Sequence, residues 1–526
     1  MSVHGVNSSS GIGTDDGAPL DVVVIGGGIN GVGIARDAAG QGLRVLLLER
    51  TDLAGATSSA SSKLIHGGLR YLEQREFRLV RESLSEREVL WASAPHIIKP
   101  LRFVLPVRAG LRSGTLLRAG LFVYDHIGGR KRLPPTRVLR RGQAAAFDAL
   151  QAHYTRAFEY SDCWADDARL VVLNALDAHE RGARILTRCS FRGARRESGL
   201  WRIDIESLHG ERGTLRARAL VNAAGPWVEQ VLAGVGVPQR SALRLIKGSH
   251  IVVPRLYAGE QAYTLQGRDG RVVFTIPFQD AFTLIGTTDV PCGSTPAAAR
   301  VSDEEIAYLC GAVGEYLRAP VRPEQLVWSY AGVRPLYDNG ELSASTVTRD
   351  YVFEVDAPRQ QAPVLSVFGG KLTTYRRLAE HALAELLPHL NRRSRRWTRT
   401  ATLPGGDLPG GDLESFTRGQ LARYAFAPAP MIRRMCAAYG TRIERIMGAA
   451  RRIEDLGAQV APDLFAAELE YLRDSEWARS AEDVLWRRTK LGLVLAREPV
   501  QRLERWFEAG LRISDCVPVG ARHASP

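Results

Sequence analysis

Residues 21–50 read DVVVIGGGINGVGIARDAAGQGLRVLLLER and contain two apolar runs separated by a glycine turn. The first run, residues 22–25, is β-branched and uncharged, which is typical of a strand buried on both faces of a parallel sheet. Gly26, Gly28 and Gly31 follow it at the G-x-G-x-x-G spacing. This spacing allows a tight turn, close approach of backbone N–H groups to a pyrophosphate and close packing of the next helix. The segment therefore predicts a dinucleotide-binding βαβ unit.

An acidic side chain ends the second apolar run of this unit. Residues 45–48 are apolar, and Glu49 follows them. A carboxylate at the tip of the second strand, about twenty residues beyond the glycines, hydrogen-bonds a ribose diol. The order of strand, glycine turn, helix, second strand and terminal Glu49 indicates dinucleotide binding far more specifically than the glycine spacing alone. It does not separate NAD from FAD.

A run of hydroxyl and small side chains comes next, with the sequence TSSASSK at residues 57–63. Such a run can offer several hydrogen-bond donors to a second phosphate face and to a flat ring, as an extended FAD would need. The alternative interpretation is a solvated serine-rich turn. The cofactor candidates in this run are Thr57, Ser58, Ser59, Ser62 and Lys63.

Several long strings in the chain carry a resemblance to a known family. They are GGGINGVGIARDAAGQGL, ATSSASSKLIHGGLRYLE, FEYSDCWADDARLV, LVNAAGPWV, RLIKGSHIVVP, IPFQDAFTLIGTTD, WSYAGVRPL, LSVFGGKLTTYRRLAEHAL and EWARSAEDVLWRRTK. Together they cover nearly the whole chain, which resembles the FAD-dependent glycerol-3-phosphate dehydrogenases of the respiratory, quinone-linked bacterial type. The resemblance implies oxidation of sn-glycerol 3-phosphate to dihydroxyacetone phosphate, with a hydride passing to flavin N5 and the electrons to a membrane quinone.

The fold implied by this resemblance is α/β. It is a two-dinucleotide-binding-domain flavoprotein with a Rossmann-like FAD domain, an antiparallel-sheet substrate domain and an α-helical C-terminal domain. We expect a flexible leader (1–19), a discontinuous FAD domain (about 20–95, 155–240 and 340–395), an inserted substrate domain (about 96–154 and 241–339) and the helical domain (396–526). The pattern of residues 161–176 predicts a helix.

Two later segments complete the expected cofactor site. LVNAAGPWV predicts a buried strand whose small following residues let the backbone approach the flavin, and a plain strand-to-helix turn is the alternative. LSVFGGKLTT predicts a second strand with a glycine turn that opens a helix, which suits anionic or carbonyl atoms of a cofactor. The remaining cofactor candidates are Asn30, Ala224, Gly225, Gly369, Gly370, Lys371, Leu372 and Thr373.

Three cations are candidates for holding the substrate in the catalytic site. A guanidinium is always charged and forks onto two phosphate oxygens, and both Arg70 and Arg334 lie among small or apolar residues. The alternative for each arginine is a structural ion pair with a carboxylate. Lys371 is the third cation, expected near the substrate or flavin, and Tyr71 is a candidate hydrogen-bond donor.

The proton acceptor is expected to be a histidine, because neutral imidazole has a pKa suited to a general base. His66 and His250 both lie in strings that carry the resemblance, and both stay candidates beside a purely structural role. The sequence shows no metal-ligand spacing, so no metal site is predicted.

Charge and composition bear on partners and location. The net charge of +13 favours an anionic partner, such as nucleic acid, an acidic membrane surface or a phosphorylated substrate. Six cysteines without C-x-x-C pairing indicate a reducing compartment. The N-terminal residues do not resemble a signal peptide. The resemblance implies a cytoplasmic enzyme attached peripherally to the inner face of the cytoplasmic membrane, and a homodimer.

Two basic segments allow alternative interpretations. Residues 100–141 mix apolar and basic side chains, which fits either a membrane-interface segment or a substrate-domain strand and core helix with solvated arginines. The late DVLWRRTKLGL face is either a partner or subunit contact or a solvated helix face.

Two alternatives to the implied function stay open. Oxygen could replace the quinone, as in the related glycerol-phosphate oxidases. The chain could instead be an FAD-containing tRNA-modifying or nucleic-acid-binding protein, although it carries no RNA-binding motif, so no nucleic-acid partner is expected.

Overall fold

The computed structural model describes residues 18–72, 74–108, 110–129, 132–293, 296–338 and 350–514, without the side chains of Arg70 and residues 510–514. The predicted leader, apart from residues 18 and 19, lies outside these ranges. The strands are β1 Leu20–Ile25, β2 Val45–Leu48, β3 Leu64–Ile65, β4 Ile98–Pro106, β5 Arg137–Arg140, β6 Arg156–Ala165, β7 Arg184–Leu186, β8 Cys189–Glu197, β9 Leu200–Ser207, β10 Arg212–Asn222, β11 Leu243–Pro254, β12 Ala262–Gln266, β13 Val272–Phe278, β14 Phe282–Gly286, β15 Val290–Pro291, β16 Trp328–Tyr337, β17 Val352–Asp356, β18 Val364–Phe368, β19 Gln459–Ala461 and β20 Leu464–Phe465.

The α-helices alternate with these strands in the first two thirds of the chain and dominate the last third. They are α1 Ile29–Gly40, α2 Phe77–Ser93, α3 Gly114–Ile127, α4 Asp167–Glu180, α5 Val228–Gly234, α6 Asp303–Gly314, α7 Tyr375–Leu386, α8 Leu413–Arg423, α9 Ala429–Tyr439, α10 Ile443–Met447, α11 Ala466–Ser475 and α12 Arg497–Ser514. Within the described ranges, we find no helix with the length and apolar character that crossing a bilayer requires.

An 8-stranded sheet is built around β1. Its order is β17-β18-β10-β1-β2-β7, and β8 and β9 extend it from β10. β1 is parallel to both neighbours and fully buried. Val22 and Val24 belong to the hydrophobic core on one face, whereas Val23 and Ile25 belong to the core on the other. This explains why the first apolar run has no polar alternation.

A 10-stranded, mostly antiparallel sheet lies beside the first. Its order is β15-β11-β14-β13-β12-β4-β6-β3, with β16 paired to β11 and β5 to β6. The longest pairing joins β11 and β16, from Leu243 opposite Tyr337 to Val252 opposite Trp328. Its strands β11–β16 lie in the part of the chain that we assigned to the substrate domain, and the role of the sheet in substrate binding stays a prediction.

One strand of this larger sheet differs from the prediction. Residues 161–165 are the end of β6 and not the start of a helix, and α4 begins at Asp167 with Asp166 as its N-cap. β6 pairs with β4, so the substrate sheet includes residues that we placed in the FAD domain. The polar Asp162 is tolerated in the buried strand because Arg87 and Tyr124 hydrogen-bond to it.

The C-terminal region has a hydrophobic core of its own, formed by α8–α12 and the hairpin of β19 and β20. Its basic segment is neither solvated nor turned outward. Arg488 is 1% exposed and bonds both carboxylate oxygens of Asp52, at 2.7 and 2.9 Å. Both interpretations of the DVLWRRTKLGL face are therefore wrong, because it binds the body of the same chain.

Candidate active site

Four strand ends meet at one edge of the first sheet. β1, β2, β10 and β18 are parallel and in register, with Ile25 opposite both Leu48 and Asn222. The residues that follow these strands are consequently neighbours: Gly26, Glu49, Ala224 and Gly369. Ligands of open α/β sheets bind outside the carboxyl ends of the strands. The cofactor candidates from distant parts of the sequence are thus brought together.

The first glycine turn leaves no room for side chains. Gly26 has φ +115°, and a Cβ on Gly31 would lie 1.9 Å from the carbonyl oxygen of Gly26. Gly28 is the N-cap of α1, and the backbone N–H of Ile29 donates to Ser58 Oγ at 3.0 Å. The glycines thus place backbone and not side chains at the N-terminus of α1, where the dipole favours an anion.

Glu49 is held at the tip of β2 by backbone donors. Its Oε2 accepts a hydrogen bond from Gly27 N at 2.7 Å, and its Oε1 accepts from Thr51 N at 2.7 Å. The carboxylate is thereby fixed beside the first glycine turn, at the position expected for a ribose partner.

Asn30 joins the two glycine turns. Its Nδ2 donates to Gly369 O at 3.1 Å, and a Cβ on Gly370 would lie 2.8 Å from the same Nδ2. Asn30 Oδ1 is buried and has no hydrogen-bond partner among the described residues. Such an orphaned acceptor at a glycine cradle fits a ligand with donor groups.

The serine run lies between the two sheets, and its members have different roles. Thr57 Oγ1 donates to Val333 O at 2.7 Å, and Ser59 Oγ donates to Ala56 O at 3.3 Å. Lys63 is fully buried, with its Nζ 2.7 Å from Asp167 Oδ1 and 3.1 Å from Ser59 O. The structure thus places the Lys63 ammonium in an internal ion pair.

His250 is bound to the end of this run. Its Nε2 shares a 2.8 Å hydrogen bond with Ser62 Oγ, and its ring stacks on Tyr330. Its Nδ1 is buried without a partner among the described residues. Burial, and after it the charges of Arg334 and Lys63, hold the pKa of His250 well below 6.5, so the imidazole is neutral near pH 7.

Arg334 lies on β16 close to His250, and the ion-pair alternative is realised in part. One nitrogen of its guanidinium contacts Asp289, and NH2 donates to Thr287 Oγ1 at 2.9 Å. The same guanidinium also donates to Thr288 O at 3.4 Å, so residues 287–289 orient it. Gly248 makes room for it, because a Cβ there would lie 2.4 Å from NH2.

A second group of candidates lies around Thr373. His66 N donates to Thr373 Oγ1 at 3.4 Å, and Lys371 Nζ lies 4.0 Å from the centre of the Tyr71 ring. Leu372 and Thr373 form one 3₁₀ turn directly before α7. Arg70 belongs to the 3₁₀ turn Leu69–Leu72, but its side chain lies outside the described part of the structure.

The third strand-end segment is open on its outer side. Gly225 follows Ala224 with φ +56°, and a Cβ there would meet no atom of the described residues within 4 Å. Space for a ligand therefore remains beside it. The described ranges contain no cluster of three or more His, Cys, Asp or Glu residues that could hold a metal ion.

Several residues at the site are not among the predicted ones. Asp289 orients Arg334, Asp167 binds Lys63, and Tyr330 stacks on His250. Asp289 and Tyr330 both lie within quoted strings, IPFQDAFTLIGTTD and WSYAGVRPL, and the second string also contains Arg334. Asp289 lies 45 residues before Arg334, so no local signal in the sequence pairs the two.

Comparisons with known proteins agree with this geometry. A family model described as FAD dependent oxidoreductase matches residues 21–376, and one described as C-terminal domain of alpha-glycerophosphate oxidase matches residues 397–509. The glycerol-3-phosphate dehydrogenase of Pseudomonas aeruginosa is 51% identical, over 94% of this chain and 96% of its own. The aerobic glycerol-3-phosphate dehydrogenase of Escherichia coli is 49% identical, over 93% and 97%. This chain belongs to the FAD-dependent glycerol-3-phosphate dehydrogenase family.

One similar relative is named for a different substrate. The D-erythritol 1-phosphate dehydrogenase of Brucella abortus is 48% identical, over 93% of this chain and 97% of its own. A crystal structure of the glycerol-3-phosphate dehydrogenase from Bacillus halodurans, complexed with FAD, has a TM-score of 0.70 at 26% identity and covers 95% of this chain and 90% of its own. The predicted family, fold class and FAD cofactor are thus confirmed.

The residues of the strand-end edge fit the FAD of this family. The glycine cradle, the N-terminus of α1 and Glu49 suit the phosphates and ribose of the adenylate half. The orphaned Asn30 Oδ1 and the open side of Gly225 lie on the same edge. When bound, FAD supplies the hydride acceptor, and the chain supplies binding and electrostatics.

Proposed function

We propose that this protein oxidises sn-glycerol 3-phosphate to dihydroxyacetone phosphate with FAD and passes the electrons to a membrane quinone. The proposal rests on the surroundings of the His250 ring. One nitrogen is bonded to Ser62 of the cofactor-side run, the other is buried and without a described partner, and Arg334 lies close by. A candidate base and a candidate anion-binding group thus meet next to the cofactor edge.

His250 would accept the proton of the substrate hydroxyl at Nδ1. If Nε2 carries the hydrogen and donates it to Ser62 Oγ, then Nδ1 is the acceptor. Arg334 would bind the phosphate through its positively charged guanidinium, with Arg70 and Lys371 as further cations. These charges also favour the alkoxide that forms as the proton leaves.

His66 is the second candidate for the base. It lies beside Thr373 and at the edge of the Phe274 ring, with centroids 6.4 Å apart. Replacing each histidine with glutamine separates the two: the base variant loses about 10²–10⁴-fold in the rate of flavin reduction, and the other changes little.

Helix α3 supports a peripheral contact with the inner face of the cytoplasmic membrane. Leu116 and Phe122 are 59% and 64% exposed, and Arg118 lies exposed between them. On the inner face of the helix, Tyr124 OH accepts a 2.8 Å hydrogen bond from Gly67 N of the candidate site. Apolar side chains beside a cation suit an anionic membrane interface. A quinone in that interface would be one helix away from the site.

The test is the absorption spectrum of the purified protein under anaerobic conditions. Glycerol 3-phosphate should bleach the flavin band, whereas glycerol should leave it oxidised. Wild-type protein with bound flavin that stays oxidised would disprove the proposal. Hydrogen peroxide formed stoichiometrically in air, with no reduction of a quinone analogue, would identify oxygen as the acceptor. Light scattering of the same sample tests the homodimer.

A second candidate substrate is D-erythritol 1-phosphate. The relative from Brucella abortus that carries this activity in its name is about as similar to this chain as the dehydrogenases are. Both substrates combine a phosphate with a secondary alcohol, so the residues above serve either. The ratio of kcat/KM for the two compounds decides between them.

A further inference from the structure

Four rings form a continuous series of contacts, here called the stack, that runs from the C-terminal domain to His250. Trp486 stacks on Trp328 with ring centroids 4.5 Å apart and 20° between the planes. Trp328 contacts Tyr330 at 4.7 Å with the planes tilted by 42°, and Tyr330 stacks on His250 at 4.9 Å with 15° between the planes. The last ring of the stack is therefore the candidate base.

The sheet fixes the inner three rings. His250 on β11 is directly opposite Tyr330 on β16, and Trp328 is two residues away on the same strand, so all three share one face. Tyr330 OH also donates to Ser61 O at 2.8 Å. The outer indole, Trp486, is supplied by a different domain.

Buried charges hold Trp486 in place. Two residues after it, Arg488 bonds Asp52, which follows the second strand of the cofactor sheet. Four residues after it, Lys490 Nζ lies 3.3 Å from Asp166. Because charges in the interior are costly to leave unpaired, these pairs fix the position of the segment relative to the cofactor domain.

We propose that Trp486 is a positioning residue for His250, so that the C-terminal domain completes the active site. The inference rests on the proposed function, in which His250 takes the substrate proton. Trp486 packs against Trp328, Trp328 restricts the orientation of the Tyr330 ring, and Tyr330 fixes the plane of the His250 imidazole. Stacked aromatic pairs prefer defined offsets, and a general base works only within hydrogen-bond reach of its proton.

The experiment uses the full-length holoenzyme and three variants. Trp486→Leu keeps an apolar side chain but removes the ring, and the rate of flavin reduction by glycerol 3-phosphate should fall about 10- to 100-fold, as expected for a displacement near 1 Å. The KM and the flavin content should stay within about threefold, because Arg334 and the glycine turns are untouched. Trp486→Phe restores a ring and should restore most of the rate.

Trp506→Leu is the matched control. Trp506 belongs to the same domain and packs on Phe507, with centroids 5.0 Å apart, and it takes no part in the stack. Removal of the Trp506 ring should leave the rate of flavin reduction within about twofold of wild type, since remote sites act independently. An equal loss of the flavin-reduction rate in Trp486→Leu and Trp506→Leu would overturn the inference, because it would indicate a general loosening of the domain.

A double-mutant cycle with His250→Gln gives the decisive readout. If Trp486 acts through His250, then Trp486→Leu adds no further loss once His250 is glutamine. Losses that multiply, or a Trp486→Leu enzyme with wild-type rate, would overturn the inference. A fully active His250→Gln enzyme would also overturn it, because no base would remain to be positioned. Failure of the proposed function would be recognised separately, because glycerol 3-phosphate would then not bleach the flavin band of the wild-type protein.

Discussion

Asn30 Nδ2 donates a 3.1 Å hydrogen bond to the carbonyl oxygen of Gly369, although 339 residues separate them in the chain. The bond joins the turn after β1 to the turn after β18. Both turns lie at the edge where parallel strands end, so the amide group bridges the two halves of the cofactor site. We expect this junction to be sensitive to any atom added to it.

Gly370→Ala should therefore impair FAD binding. The new Cβ would lie 2.8 Å from Asn30 Nδ2, at a residue with φ +97°. We expect at least about a tenfold rise in the FAD dissociation constant, the equivalent of one lost hydrogen bond of about 1.4 kcal/mol. Titration of the apoprotein with FAD, followed by flavin fluorescence, measures it.

The control for this variant is Gly182→Ala. Gly182 has a similar φ, +95°, but a Cβ there meets no atom of the described residues within 4 Å. Both variants carry a similar backbone strain, so the crowding of Asn30 and Leu378 at the junction separates them. Equal FAD affinities in the two variants would contradict the role that we give to the junction.

Arg334→Gln should weaken substrate binding. A charge-assisted hydrogen bond contributes about 1.5–3 kcal/mol, which corresponds to roughly a 10- to 150-fold lower kcat/KM for glycerol 3-phosphate. Arg244→Gln is the control, because Arg244, on the neighbouring strand β11, also pairs with an aspartate, Asp338, at 3.2 Å. A similar loss in the control would point to damage of the sheet.

His96 should make the fold sensitive to acid. It is 4% exposed, its ring nitrogens have no partner among the described residues, and burial, followed by the charge of Arg169, lowers its pKa from 6.5 to about 3. Between these values the unfolded chain binds a proton that the folded chain does not. The free energy of unfolding should thus fall by about 1.4 kcal/mol for each pH unit below 6.5.

Urea unfolding at pH 7.5 and 5.5 checks this pH dependence. The loss of stability between the two should be smaller by about 1 kcal/mol in His96→Leu than in wild type. His209→Leu, which removes an exposed imidazole, should behave as wild type does. A His96→Leu protein with the wild-type pH dependence would show that His96 does not cause it.

The double variant Leu116→Ser, Phe122→Ser should reduce membrane binding. Burying a large apolar side chain is worth about 1.5–3 kcal/mol, so the affinity for vesicles with anionic lipid should fall at least about tenfold. Flavin reduction by glycerol 3-phosphate should not change. Val494→Ser, at another apolar side chain that is 63% exposed, is the control. Sedimentation with vesicles measures the bound fraction, and unchanged binding of the double variant would exclude α3.

The sequence predicted those parts of the molecule whose signals are local. Gly26 and Glu49 each come directly after an apolar run, so the ends of these two strands could be predicted from the sequence alone. The strand character of residues 161–165 could not, because the partners of the buried Asp162, among them Arg87 and Tyr124, lie on other elements. Three-dimensional partners override a local helix pattern here.

The candidate site also contains residues whose partners could not be predicted from the local sequence. Lys63 looked like a cofactor ligand because it ends the serine run, yet Asp167, more than 100 residues later, binds its ammonium group. The basic segment around Arg488 looked like an exposed face, yet Asp52 lies 436 residues before it and buries it. A single sequence carries no pairing information over such separations.

The strand order of the first sheet has a consequence for synthesis. β18 pairs with β10 and places Gly369 and Gly370 beside Asn30, so a nascent chain that has not yet emerged past these glycines lacks one wall of the flavin cradle. The early residues can form their βαβ unit on the ribosome, but flavin capture must await about two thirds of translation. Chains released prematurely before that point should therefore be colourless.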